Sequence, residues 1–590
     1  MVKGKANNSK KKRQDRQQRN FIFTHRFDSN SIRQKKKEAE TFSYLRLRSV
    51  TVSIFFVACY SFLIFHLIAF SFNFDYTKET ESKKNTISFL ERRADIVDRN
   101  GILIATNIPS RSLSINTTEV LNKEKTIETL LEVFPDLDEK KLNNEFNKGN
   151  RRLHIKRNIH PTRQERILKS EIIGLIWEDT SARVYPHNSL FSHVIGGVDN
   201  WNQGISGMEK QFNQLLNKMS NKEQKLELSL DIRVQHAVKD ELRKGIARYK
   251  ASAAAGIVMD IANGEVLSFV SLPDYNLNIP IDGQKPESLN RVTNSRYELG
   301  SILKIFTFAI ALDMGSIKIN EILEVPKTTK IGKYPVKDDH PKCNPKCRAY
   351  EIFIESSNVG AVEIIRRVGR KKQHEYFSKF GLLNRLSIEL PEVAIPDQPK
   401  RWTKTDSESI SFGYGLGISP LQLATGVASI VNEGYQIQPT LIKQEFLLAK
   451  NNKSDLDRTV SVDTSNKIRG LMRLAVVEGT GKNADVLGYE VGGKTGTARI
   501  YEKGIGYTTK SKRTTFLGIF PSSQPKYLTL VLLERPQPLA EDHFFNYAAY
   551  NSAKITAKII ERIGPILAIN FPQNPSMNNL NVLSPVVFKR

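Results

Sequence analysis

Three short stretches hold residue types whose spacing could support nucleophilic chemistry together. In YELGSILKIF, residues 297–306, a serine and a lysine stand three apart, which puts Ser301 and Lys304 on one side of a helix. A serine hydroxyl is a poor nucleophile until a base lies beside it. An ammonium cannot be that base, but burial can lower a lysine's pKa and supply free amine. Ile302, Leu303, Ile305 and Phe306 would provide the burial. The helix is predicted to begin at Ser301, where its N-terminus favours a developing negative charge. The bland alternative is that Lys304 snorkels to solvent.

In ESSNVGA, Ser356 and Asn358 follow. A serine hydroxyl can relay a proton, and an asparagine amide can hold a lysine or a substrate amide. Ser357 or Asn358 could instead simply cap a helix. In GGKTGTA, Lys494 offers a charge, and Thr495 and Thr497 offer two hydroxyls on one face of a predicted strand. Gly496 is bare, so an extended peptide could lie against the strand edge. That combination suits a peptide ending in a carboxylate. Each pattern alone is weak: S-x-x-K recurs at Ser9–Lys12 and Ser523–Lys526, and S-x-N at Ser114–Asn116 and Ser576–Asn578. The specificity lies in the three together, in this order, on helix, loop and strand.

The elements that must position these groups are legible. The stretch ASAAAGIVMDIANGEVLSFVSLP reads as a hairpin turning at Asn263-Gly264. Strand patterns return in VGGKTGTARI, TTFLGIF and KYLTLVLLER, the last two joined by PSSQP, and an amphipathic helix covers about Ala548 to Ile563. Two strands, a helical region, three strands and a terminal helix make an α/β (α+β) domain. Its chain-distant hairpins must join in one antiparallel five-stranded sheet flanked by helices. Upstream, RADIVDRNGILIATN reads as strand, turn at Asn100-Gly101, strand.

The chain has 590 residues, with 39% apolar and 25% charged content, enough for several domains with a sizeable core. Its net charge is +26, which raises nucleic acid, an anionic membrane surface or an anionic polymer as partners. Residues 1–48 hold fifteen Lys/Arg against four Asp/Glu. The twenty-one residues Val50 to Phe70 that follow carry no formal charge. At about 1.5 Å per residue they would span a ~30 Å hydrocarbon core. The expectation is a retained signal anchor, with the basic flank in the cytoplasm. Topology and anionic lipid then account for the basic tail, and nucleic-acid binding is not invoked. Of three cysteines, Cys59 falls in this span. Cys343 and Cys347 could form a small disulfide, stay free, or, one ligand short, bind zinc with His340.

The triad resembles the S-x-x-K, S-x-N and K-T-G set of penicillin-binding proteins and serine β-lactamases. RADIVDRNG, RVYPHNSLFSHVIGGVD, GISGMEKQFN, LELSLDIRVQ, GIVMDIANGEVLSFVSLPDYNLN and SFGYGLGISPLQLA extend the resemblance, over roughly Arg92 to Ile563, to class B penicillin-binding proteins of the FtsI-like division type. Two departures stand out. Leu299 replaces the usual proline before Gly300, and Ala94 replaces a glycine in the R-G-x-I-x-D-R-x-G element.

The resemblance implies five regions: a basic cytoplasmic tail (1–48), a transmembrane anchor (49–72), an elongated α+β pedestal of the dimerisation type (73–225), a transpeptidase domain (226–570) and a C-terminal tail (571–590). It implies a peptidoglycan D,D-transpeptidase that needs neither metal nor cofactor and binds β-lactams covalently. Ser301 would be nucleophile and Lys304 base, with Ser356 and Asn358 also catalytic. Lys494, Thr495, Gly496 and Thr497 would bind substrate, and the amides of Ser301 and Thr497 would form an oxyanion hole. The implied partners are peptidoglycan stem peptides, an FtsW-like glycosyltransferase and other division proteins. The implied place is the inner membrane, single-pass, with a periplasmic catalytic domain. An elongation-type transpeptidase, a D,D-carboxypeptidase and a non-catalytic division scaffold are the alternatives. A β-lactamase is disfavoured by the missing E-x-x-L-N element, and a bifunctional enzyme by the missing glycosyltransferase element before Ser301.

Overall fold

A computed structural model describes residues 55–65, 93–220, 224–279, 283–339, 341–444, 458–502 and 504–568. The basic tail, most of the predicted anchor, His340 and the C-terminal tail lie outside the described residues. Contacts divide the chain into two units, Met1–Ser88 and Phe89–Arg590. In the first, residues 55–65 are helical and expose Phe55, Phe56, Phe62, Leu63, Ile64 and Phe65. Among the described residues no helix is long and apolar enough to cross a membrane.

The second unit begins with strands β1 (Ile96–Val97) and β2 (Leu103–Ile115), which pair antiparallel across the expected Asn100-Gly101 turn. β2 also pairs with β3 (Leu153–Lys156) and β4 (Leu175–Val184). Short helices close this layer over a small core that includes Leu113, Ile127, Leu130, Phe134 and Phe146. Buried Glu209 receives Arg93 and Arg183 at 2.5 and 2.7 Å, so the charges are paired rather than stranded. Ala94, the departure from glycine, is buried without strain and accepts a hydrogen bond from Arg183 at 3.0 Å.

The join to the rest is backbone pairing. β1 runs parallel to β5 (Leu226–Glu227). Asp98 accepts from Asn100 and Ile102 amides at 2.8 Å, and from the Ile232 amide at 3.1 Å at the start of α1 (Ile232–Tyr249). A turn carboxylate thus satisfies an orphan helix donor.

Strands β6 (Ala253–Asp260) and β7 (Val266–Leu272) form the expected hairpin. It joins three later strands, here called β8 (Gly492–Glu502), β9 (Gly506–Phe520) and β10 (Tyr527–Glu534). The order is β8-β9-β10-β6-β7, antiparallel throughout. Alternate residues face alternate layers. Phe516, Phe520 and Val531 pack under α1 and the terminal helix. Leu517, Ile519, Leu528 and Leu530 pack under the helical region that holds Ser301. Both faces are covered, which is why these strands read as continuous apolar runs. The terminal helix spans Ser552–Ile566, after a 3-10 turn at Ala548–Tyr550.

Candidate active site

The expected helix start shifts by one turn. Ser301 lies in a 3-10 turn, Gly300–Leu303, and the helix proper, α2, runs Lys304–Asp313. α2 is apolar on nearly every side and sits in the core, so Lys304 is fully buried. The snorkelling alternative fails on that observation.

The Lys304 ammonium position lies 2.9 Å from Ser301 Oγ, 2.5 Å from the Ser356 carbonyl, 2.7 Å from Asn358 Oδ1 and 3.2 Å from Ser356 Oγ. The carbonyl and the amide oxygen can only accept. A neutral amine has two N–H groups for these two, which leaves its lone pair for the Ser301 proton. Burial brings the Lys304 pKa down from 10.5 to about 7, against a partial rise from Asp338 and Asp339.

Ser356 adopts a left-handed conformation, φ +59, costly for a residue with a side chain. Held there, its carbonyl accepts from Lys304 and its hydroxyl faces both Lys304 and Lys494. Ser357 is the helix cap: it accepts from the Gly360 amide at the start of α3 (Asn358–Val368). The capping alternative was therefore correct for Ser357, while Asn358 turns to Lys304. Asp338 fastens this loop, accepting from Ser357 Oγ at 2.6 Å and from the Asn358 and Val359 amides at 2.5 and 3.1 Å. Cys343 and Cys347, in the same connection, form a disulfide, so neither thiol is available to zinc.

β8 is the edge strand over Ser301. The Arg499 amide donates to the Tyr414 hydroxyl at 3.1 Å, away from β9. By two-residue alternation the Thr497 and Thr495 main-chain groups point the same way, along an open edge. A Cβ at Gly300 (φ +59) would lie 2.8 Å from Thr497 O, so this edge passes directly against the nucleophile turn.

Two sequence expectations are corrected here. Lys494 does not point into the cleft as a carboxylate receptor. It is fully buried, donates to Ser356 Oγ at 2.7 Å, and has its pKa lowered by burial and then by Lys304. Strand alternation explains this, because Lys494 and Thr495 must face opposite layers. Nor does Gly496 make room for a peptide. A Cβ there would lie 2.5 Å from Leu299 O and 2.8 Å from Ile302, so the bare position admits the nucleophile turn. Leu299, in proline's place, is buried in the core.

The hydroxyls do face the cleft, a space of about 1020 Å³ lined by Ser301, Ser356, Asn358, Thr495 and Thr497. Thr480, unremarked in the sequence, joins them with its hydroxyl 2.7 Å from that of Thr495. Its signal was a threonine between two glycines after a helix (Val462–Val477). Asp338 and Tyr414 were also missed as contributors. Tyr414 lay within SFGYGLG, but nothing in that pattern says which backbone amide it meets. Among the described residues no group of three or more His, Cys, Asp or Glu is placed to hold a metal.

Fold and site together suit serine acyl transfer: a buried amine lies 2.9 Å from a serine hydroxyl beneath an edge strand. The family model for the penicillin binding protein transpeptidase domain matches residues 254–561, and that for the penicillin-binding protein dimerisation domain matches residues 91–228. A Caulobacter vibrioides protein described as "Probable peptidoglycan D,D-transpeptidase FtsI" is 32% identical over 486 residues, 81% of this chain and 82% of its own. The Escherichia coli peptidoglycan D,D-transpeptidase FtsI is 26% identical, covering 75% of this chain and 79% of its own. Penicillin binding protein 3 of Mycobacterium tuberculosis, solved with aztreonam, superposes with TM-score 0.63 at 22% identity, covering 81% of this chain and 97% of that one. The chain belongs to the penicillin-binding protein transpeptidases, with a class B arrangement of dimerisation and transpeptidase domains.

Proposed function

We propose that this protein is a peptidoglycan D,D-transpeptidase that cross-links stem peptides through an acyl-enzyme on Ser301, in septal wall synthesis. The observation that carries this reading is the Lys304 amine, held by two carbonyl oxygens and 2.9 Å from Ser301 Oγ, beneath the open edge of β8.

The donor stem, ending in two D-alanines, lies along that edge with its carboxylate toward Thr495, Thr497 and Thr480. Ser301 Oγ attacks the penultimate carbonyl and its proton passes to Lys304. The Ser301 and Thr497 amides receive the oxyanion. Ser356, between Lys304 and Lys494, carries the proton on to the departing D-alanine nitrogen. The amine of a second stem then attacks the ester, loses its proton through the same groups, and releases Ser301. Lys494 keeps the relay serine in place by donating to its hydroxyl.

Residues 49–72 anchor the chain in the inner membrane, single-pass, with residues 1–48 cytoplasmic and the remainder periplasmic. The exposed aromatic and aliphatic side chains of residues 55–65 and the basic flank support this. An FtsW-like glycosyltransferase and other division proteins are its expected partners there.

The test supplies nascent glycan with pentapeptide stems to the full chain in detergent. Released D-alanine together with cross-linked dimers is expected, and Ser301→Ala should abolish both. D-alanine without dimers would make the protein a carboxypeptidase. Neither product, with no penicillin adduct, would make it a scaffold.

A further inference from the structure

Beyond the triad, β8 and its neighbour β9 carry two like charges side by side that the fold does not neutralise. Arg499 stands directly opposite Lys512 of β9. Like charges directly opposite on one sheet face are destabilising. Arg499 is exposed and lines the cleft. Lys512 lies 4.3 Å from the Tyr547 ring and donates to the Asn546 carbonyl at 3.2 Å. Among the described residues neither forms an ion pair. The nearby carboxylates are committed or remote. Glu298 accepts from the Gly415 amide and the Tyr507 hydroxyl, and Asp339 acts on Lys512 only through space.

The position of the pair says which part of a ligand it would meet. Arg499 is two residues past Thr497 on the same strand face, about 6.8 Å along. The Tyr414 hydroxyl already takes the Arg499 amide. An extended donor can therefore pair with the edge at Thr495 and Thr497 but not beyond. At Tyr414 its chain must leave the ladder, and the side chain just before the two D-alanines falls over Arg499.

We propose that Arg499 and Lys512 form a subsite for a second carboxylate on the donor stem, borne by the side chain of the residue before the terminal dipeptide. A guanidinium presents a planar fork to a carboxylate, and the ammonium behind it adds charge. The subsite would select stems whose third residue ends in a free carboxylate over stems where that group is amidated. This rests on the transpeptidase reading above.

The test uses two synthetic thioester donors, identical except for a carboxylate or a carboxamide at that side chain. The rate of acylation of Ser301 is read by mass spectrometry. The parent should prefer the carboxylate donor by about tenfold or more. Arg499→Gln should bring the ratio near one, Lys512→Gln should reduce it, and Arg499→Lys should retain part of it. A parent that acylates with both donors equally overturns the subsite and leaves the transpeptidase standing. So does a preference that survives Arg499→Gln. A parent acylated by neither donor overturns both.

Discussion

The acylation rate should follow the titration of Lys304. At a pKa of about 7, about half of the molecules at pH 7 hold the free amine, against roughly three in ten thousand at an ordinary lysine value. The depression from 10.5 to about 7 corresponds to about 5 kcal/mol in favour of the neutral form, an order-of-magnitude figure. Between those two values the unfolded chain holds this proton and the folded one does not. The residue therefore makes folding stability rise with pH through that window. The assay is the second-order rate of acylation by benzylpenicillin from pH 5 to 9. The rate should rise about tenfold per pH unit below about 6 and level off above 8. Lys304→Arg, which keeps charge but cannot yield its proton, should lose about a thousandfold or more. A rate flat from pH 5 to 8, or a fast Lys304→Arg enzyme, would refute the reasoning.

Asp338→Asn removes a carboxylate that holds three donors and raises the Lys304 pKa. Acylation should slow by about tenfold, and the acidic limb of the same pH profile should move to lower pH. Gly496→Ala places a methyl 2.5 Å from Leu299 O. It should cut acylation by about tenfold or more while the circular dichroism spectrum stays that of a folded protein. Thr480 and Thr495 share one hydrogen bond, so Thr480→Val and Thr495→Val should be non-additive. Each should also shrink the penalty for esterifying a β-lactam's carboxylate, read as a ratio of acylation rates.

The sheet was legible because continuous apolar runs bounded by turn residues mark strands buried on both faces, and the hairpins at Asn263-Gly264 and PSSQP fall where that pattern puts them. Ser301 with Lys304, and Ser356 with Asn358, could be singled out by spacing because a helix turn and a loop fix the members of each pair locally, whereas the meeting of the two pairs is a contact between segments 52 and 54 residues apart. Lys494 was misaimed because adjacent strand residues face opposite layers, and the sequence does not say which layer holds the cleft. Gly496 was misread for a related reason: what a glycine makes room for depends on which distant segment packs there. Asp338, Thr480 and Tyr414 act through contacts with segments far off in the chain, and no local pattern foretells those. Residues 1–48, most of 49–72 and 571–590 lie outside the described structure.

The most direct measurement is the mass of the penicillin-treated protein, followed by mapping of the modified peptide. One adduct is predicted, of the mass of the intact ligand and located on Ser301, and lost in Ser301→Ala with no new site taking its place. An adduct on Ser356, on Lys494 or anywhere else, or labelling that persists in Ser301→Ala, would contradict the account.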